Sequence, residues 1–172
     1  MTIRLFILAC LFWALSVRTP DHDVATTSDE DFLKGAAINA IGELRLGELA
    51  IHRTEKQLIR DFARRMLTAY SQASKEVQEL ADQKGIACPA ELDEKHKEML
   101  EGLARLSGHE FDRAYMTEII ASHEAEIKEF EDHGAAGRDR EIKKWISRTL
   151  PKLREHLQVA RETRRQTDMV TE

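Results

Sequence analysis

Two hydrophobic stripes, each interrupted by a histidine, constrain this chain more than any other feature. Along Asp112, Met116, Ile119, His123, Ile127 and Phe130 the steps are four, three, four, four and three. Along Ile142, Ile146, Thr149, Leu153, His156 and Ala160 fours and threes alternate throughout. Such spacing is the buried face of an amphipathic helix. An imidazole titrates near neutral pH and binds metals, so it is an unusual occupant of a core seam. His123 and His156 are therefore the foremost site candidates in the sequence.

The same patterning extends along the chain. Ser28 and Asp29 can cap a first long helix that enters at Phe32-Leu33 and runs to about Ile51. On it Ala36, Ala40, Glu43, Gly47 and Ala50 fall within about 80° of one another at 100° per residue. That edge lets a neighbouring backbone come close and carries a single carboxylate. Gly42 and Gly47 lower helix propensity, and close packing is the expected compensation. Thr54 with Gln57 reads as a capping box opening a second helix with the stripe Ile59, Phe62, Met66, Ala69, Ala73, Val77 and Leu80, Tyr70 on its flank. Lys84-Gly85 is its stop. The first two helices are joined by two or three residues, which forces an antiparallel hairpin.

A shorter helix follows, with Leu92, His96, Met99, Leu103 and Leu106 on its stripe; His96 reads as a partly exposed member with no functional role. Ser107 and Glu110 form a second capping box, opening a third long helix to about Asp132. Gly134 and Gly137 bracket the turn into a fourth, from about Arg138 to Arg164. Within it Pro151 cannot donate to the Ser147 carbonyl and is expected to kink the helix. No strand pattern appears. The expected fold is all-α, a ferritin-like four-helix bundle with a short extra helix in the crossover between long helices 2 and 3. Up-down-up-down bundles rarely need such a connection.

At 172 residues and 42% hydrophobic content the chain can bury one core. Only 6% of it is aromatic, which speaks against an all-β sandwich and against a base-stacking surface. Residues 1–16 read as an export signal: Arg4 is the positive n-region, Leu5 to Trp13 the apolar core, and Ala14-Leu15-Ser16 the cleavage site. The apolar run is too short to span a bilayer comfortably. Cys10 faintly suggests a lipoprotein box, but apolar residues continue past it. Residues 17–27 are then a tether, 28–165 the bundle domain and 166–172 a polar tail. Removing residues 1–16 takes away Arg4 alone, so the net charge of −5 becomes −6. That acidity argues against a nucleic-acid partner. Cys88 is left as the lone cysteine, which excludes an internal disulfide and assigns stability to packing. The expected location is the periplasm or another extracytoplasmic space, without membrane insertion once the signal is gone; homo-oligomerisation stays open.

Bundles of this type hold paired metals with Glu-x-x-His on two helices. That signal is absent here, because Ile120 precedes His123 by three and Leu153 precedes His156 by three. A looser divalent-metal site is conceivable from Glu43, His123 and His156, with Tyr70, Asp112 and Tyr115 as neighbours. With the helix ends placed as above, the two histidines differ in height by roughly 12 Å at 1.5 Å per residue. His156 would be level with Asp112, Tyr115 and Met116, where a carboxylate–imidazole pair is as natural as shared ligation. The plainer reading is that a histidine on an apolar stripe is a hydrogen-bonded core residue. Glu124, Glu126, Lys128, Glu129 and Glu131 read as a solvated face. No catalytic residue stands out. The functional readings are a non-catalytic binding or stress-associated envelope protein, a metal-binding and redox-active bundle, and a protein–protein interaction module.

Certain strings carry a resemblance. Glu43-Leu-Arg-Leu-Gly-Glu-Leu-Ala50, Phe62-Ala-Arg-Arg-Met66, Leu106-Ser-Gly-His-Glu-Phe-Asp-Arg-Ala-Tyr-Met116, His123 and Thr149-Leu-Pro-Lys-Leu-Arg-Glu-His156 resemble the bacterial family known as domain of unknown function 4142. The resemblance covers about residues 29–162. It implies an exported, ferritin-like helical bundle, often labelled as an outer-membrane protein, and no activity. Members usually carry Asp-His where this chain has Ala69-Tyr70. If that pair serves a metal, part of the site is missing here.

Overall fold

Capping and turn chemistry set the helix boundaries. The computed structural model describes residues 28–169, so the expected signal and tether lie outside the described residues. Five helices are present among them: α1 Asp29–Arg53, α2 Gln57–Gln83, α3 Glu94–Ala104, α4 Gly108–Ala136 and α5 Arg140–Met169. No strand occurs among the described residues. Ser28 caps α1 by accepting from the Asp31 amide at 3.1 Å, and Asp29, Glu30 and Asp31 suit the positive end of the helix. Gly85, at φ 69°, supplies the left-handed residue that ends α2. Asp139 starts α5 by accepting from the Glu141 and Ile142 amides.

The two capping boxes are corrected. Ser107 stands at the start of α4 without a side-chain cap bond. Thr54 accepts from the Lys56 amide at 3.1 Å and donates to Asp112 Oδ1 at 2.6 Å, so its hydroxyl joins two hairpins instead of capping α2. Pro151 lies on the exposed face of α5, which runs on through it as one helix. Residues 166–169 continue α5, with Thr167 buried.

Cross-links between helix ends give the topology. Asp29 at the start of α1 meets His133 near the end of α4, so those helices are antiparallel. Lys84 just past α2 pairs with Asp139 and Glu141 at the start of α5. Thr54, between α1 and α2, meets Asp112 near the start of α4. The order is therefore α1 up, α2 down, α4 down, α5 up, and the segment holding α3 carries the chain back along the bundle, as the long crossover requires. The core runs from Phe32, Phe130 and Trp145 at one end to Ile59, Phe111 and Tyr115 at the other. Burying each such side chain contributes about 1.5–3 kcal/mol.

The helix-1 glycines are explained by close approach. A Cβ at Gly47 would stand 2.9 Å from Leu67 Cγ and 3.3 Å from the Ala63 carbonyl oxygen. A Cβ at Gly42 would stand 2.7 Å from Cδ2 of His96, whose ring α3 lays on the α1 backbone. Of α3 itself only Leu103 is fully buried.

Candidate functional site

In mid-bundle the apolar stripes of α1, α2 and α4 each turn polar, at Glu43, Tyr70, and His123 with Glu126. All four are buried, with 7% exposure or less. The same depth holds the half-buried His156 of α5, and the buried Tyr115 of α4 lies about 12 Å along the helix from His123.

Hydrogen positions follow from the partners. His123 Nδ1 lies 2.8 Å from the Ile119 carbonyl, which can only accept, so Nδ1 bears a proton. On its other side Nε2 lies 3.2 Å from the Tyr70 hydroxyl, which is 2.7 Å from Glu126 Oε2. One hydroxyl proton cannot serve both contacts. Either Glu126 is protonated and donates to Tyr70, which donates to Nε2, or His123 is an imidazolium donating through Tyr70 to a carboxylate. Both arrangements hold the same number of protons. Burial pushes Glu126 up to about 7 and pushes His123 down, although the charge of each favours the ionised form of the other. The neutral chain, Glu126 to Tyr70 to His123 to Ile119, is the form that follows.

Glu43 has a parallel environment. Burial raises it to about 7, against the hydrogen bond from Ser122 Oγ at 2.6 Å to its Oε1. That oxygen is 3.7 Å from His123 Nδ1, and Oε2 has no partner. The Tyr115 hydroxyl is also unpartnered, and burial, then the Glu43 charge, raises its pKa. His156 has an unpartnered Nδ1 and is pushed down to about 4 by burial and by His123.

The histidine heights are corrected. α4 runs on through Gly134 to Ala136 and α5 begins at Arg140, which places His123 and His156 within about 5 Å of one level at 1.5 Å per residue. Their rings meet edge-on with centroids 5.9 Å apart, and His156 lies 6.1 Å from the Tyr70 ring. Asp112, expected beside His156, gives its carboxylate to Thr54 instead. Glu43, His123, His156 and Tyr70 thus share one region, Tyr115 stacks on Phe111 toward the end of the bundle, and Asp112 serves the hairpin junction. Among the described residues no group of three or more His, Cys, Asp and Glu side chains is arranged to hold a metal ion.

Tyr70 and Glu126 are the largest departures from the sequence reading. Tyr70 stands inside the bundle instead of on its flank, while Ala69 and Ala73 are half-buried. Glu126, read as solvated, is buried, and Ile127, read as core, is only half-buried. The signal was the continued four-three step Ile119, His123, Glu126, Phe130, His133. It also leads to His133, which is buried, stacked on Phe32 at 4.1 Å and bonded to Asp29.

Two openings reach this region. A cavity of about 140 Å³ between α2 and α5 includes Tyr70, Glu126, Trp145 and His156 in its walls. A cleft of about 300 Å³ under α3 is lined by Glu43, Glu118, Glu126, Glu129, His96 and Met99. In it Asp93 Oδ1 holds His96 Nδ1 at 2.6 Å, fixing the ring.

The model of the family described as domain of unknown function DUF4142 matches residues 16–163. The chain belongs to that family. Among solved structures it is similar to one titled "CopM in the Cu(II)-bound form", with a TM-score of 0.69 and 16% identity, covering 82% of this chain and 98% of that one. That likeness shows the fold. No curated protein matches this chain. Among the described residues no helix is long and apolar enough to cross a membrane.

Proposed function

We propose that this DUF4142 chain is an exported, non-catalytic binding protein of the bacterial envelope whose mid-bundle cluster takes a divalent transition-metal ion. The observation that carries the reading is the meeting of His123 and His156 at 5.9 Å beside the buried Glu43, whose Oε2 has no partner. Neutral imidazole with carboxylate suits copper and zinc. The fold neighbour was solved with Cu(II), which supports the same ligand class. Glu43, His123 and His156 would hold the ion, with Glu126 within the same network. The ion would act as bound cargo or cross-link between α1, α4 and α5. Tyr70 would have to release Nε2 of His123 for that nitrogen to ligate. Export rests on Arg4, the apolar run and Ala14-Leu15-Ser16.

A second reading is favoured by Tyr70 already bonding His123: the cluster is structural, and its polar atoms satisfy one another. Chelator titration followed by circular dichroism separates the two. Protein purified without a nickel column is melted with and without chelator, beside His123→Ala and His156→Ala. Metal binding predicts a wild type that chelator destabilises and variants that it does not. Identical wild-type melts, together with no uptake of added Cu²⁺ or Zn²⁺, would leave the structural reading standing alone.

A further inference from the structure

α3 lies across the cleft between α1 and α4 and is held there by packing alone. Its polar contacts are internal: Asp93 accepts from the His96 amide at 2.9 Å, Lys97 pairs with Glu94, and Arg105 pairs with Glu101. Among the described residues no hydrogen bond or ion pair joins α3 to another helix. By contrast, α1 and α4 are tied to each other through Glu43 with Ser122 and Asp29 with His133. A helix with few buried apolar contacts and no hydrogen bonds to its neighbours opens locally at a much lower free energy than the whole fold.

The two ends of α3 differ in a way that defines a hinge. Leu103, its fully buried residue, stands at the C-terminal end, just before the short connection 105–107. That connection leads into Gly108, whose φ of 54° is left-handed and suits glycine, and an added Cβ there would meet nothing within 4 Å. The other end hangs on the longer connection 84–93. There His96, about 10 Å along the helix from Leu103, rests its ring on the α1 backbone at Gly42.

Beneath the His96 end is a way to the buried centre. The cleft walls carry Glu43, Glu118, Glu126 and Glu129 against a single lysine, Lys95. Ser122, also in the wall, donates to Glu43 Oε1 at 2.6 Å, and that oxygen is 3.7 Å from His123 Nδ1. A cleft lined by one sign of charge concentrates ions of the other, here cations.

We propose that α3 is a hinged lid, pivoting at Leu103 and Gly108 so that its His96 end lifts from Gly42 and opens the cleft to Glu43, and that divalent cations reach the mid-bundle cluster by this route. The route rests on the metal reading; the motion does not, and the test separates the two.

The full chain carries Cys10→Ser and Cys88→Ser, with Gly42→Cys and His96→Cys as a reversible lock. His96 Cγ is 3.6 Å from the Cβ position at residue 42, which puts cysteines at the two positions within bridging reach. In chelator, Glu43 is modified with a water-soluble carbodiimide and an amine, and initial rates are read by mass spectrometry for the oxidised and reduced forms. Glu43 should react at least fivefold more slowly with the bridge closed, while the exposed Glu55 reacts equally in both. Equal rates at Glu43, or no modification in either form, would overturn the lid. Should the bridge not form, His96→Ala makes the same test: Glu43 should react at least threefold faster than in the native chain with helix content unchanged, and an unchanged rate would overturn the lid. Uptake of Zn²⁺ is then timed in both forms. Slower uptake to the same final stoichiometry is expected in the bridged form, and equal uptake rates would overturn the route. No uptake in either form, beside a difference at Glu43, would strike the metal reading and the route with it while upholding the motion.

Discussion

Tyr70 has one proton to give and two buried groups within reach. Its phenol bridges Glu126 and His123, so Tyr70→Phe leaves a buried carboxyl group and a buried ring nitrogen without that partner. The expected loss is about 1–3 kcal/mol for each group left unsatisfied, read by chemical denaturation. The sign of the pH dependence follows from Glu126, whose pKa rises on folding from 4.5 to about 7. Its protonated form is the one the fold favours. Its contribution is therefore complete below pH 4.5 and is lost as pH rises through about 7, at no more than about 1.4 kcal/mol per pH unit. Measured in chelator, the stability of the native chain relative to Glu126→Gln should fall across that window. A flat difference would mean that Glu126 is ionised throughout. This carboxylate was hidden in the sequence by its neighbours. Glu124, Glu129 and Glu131 are charged as well, and only the helical phase, exact to one residue, separates Glu126 from Ile127. His123 was legible because its own position lies on an apolar stripe, and Glu43 because it is the single carboxylate on an edge of small residues.

At the scale of elements, α3 is seated by a glycine. Alanine at position 42 would improve helix propensity by about 1 kcal/mol, but its Cβ would press on the His96 ring. Gly42→Ala alone should therefore loosen α3, seen as faster hydrogen exchange of its amides. Gly42→Ala combined with His96→Ala should regain exchange protection in α1 and melt higher than His96→Ala alone. If Gly42→Ala by itself stabilises the chain, the close contact is not a constraint. The four long helices and the crossover were readable because periodicity persists over many turns and because Gly85 and Ser28 mark ends by local chemistry. Helix ends were less readable. Gly134 reads in the sequence as the edge of a turn, yet α4 continues past it, since one glycine lowers helix propensity without forbidding helix. The four residues added to the end of α4 and the two lost from the start of α5 bring His123, in place of Asp112, opposite His156.

At the scale of the molecule, no disulfide supports the fold among the described residues. Cys88 is a free, half-buried thiol with its Sγ 3.9 Å from the Leu33 carbonyl, and burial raises its pKa. Thermal melts with and without a thiol reductant should coincide; a lower melt on reduction would reveal a bridge between copies at Cys88. Cross-helix ion pairs such as Arg65 with Glu155 and Arg161 with Glu124 are exposed, and each contributes only about 0–1 kcal/mol. Packing and the mid-bundle network are what distinguish this fold from a collapsed set of helices.

That network divides unevenly between the two hairpins. The α4–α5 hairpin owns His123, Glu126 and His156, while the α1–α2 hairpin owns Tyr70 and Glu43. Within α4 the Ile119 carbonyl already orients the imidazole, before anything docks. The phenol reaches its partners only when the hairpins come together, so these bonds belong to the last event on the way to the native state. Local helical pairing is fast, whereas contacts between distant segments are slow to form. Removing the phenol should consequently leave the refolding rate almost untouched and speed unfolding, the mark of interactions absent from the transition state. The polar centre then acts as a latch on assembled hairpins, setting how long the native bundle persists more than how quickly it appears.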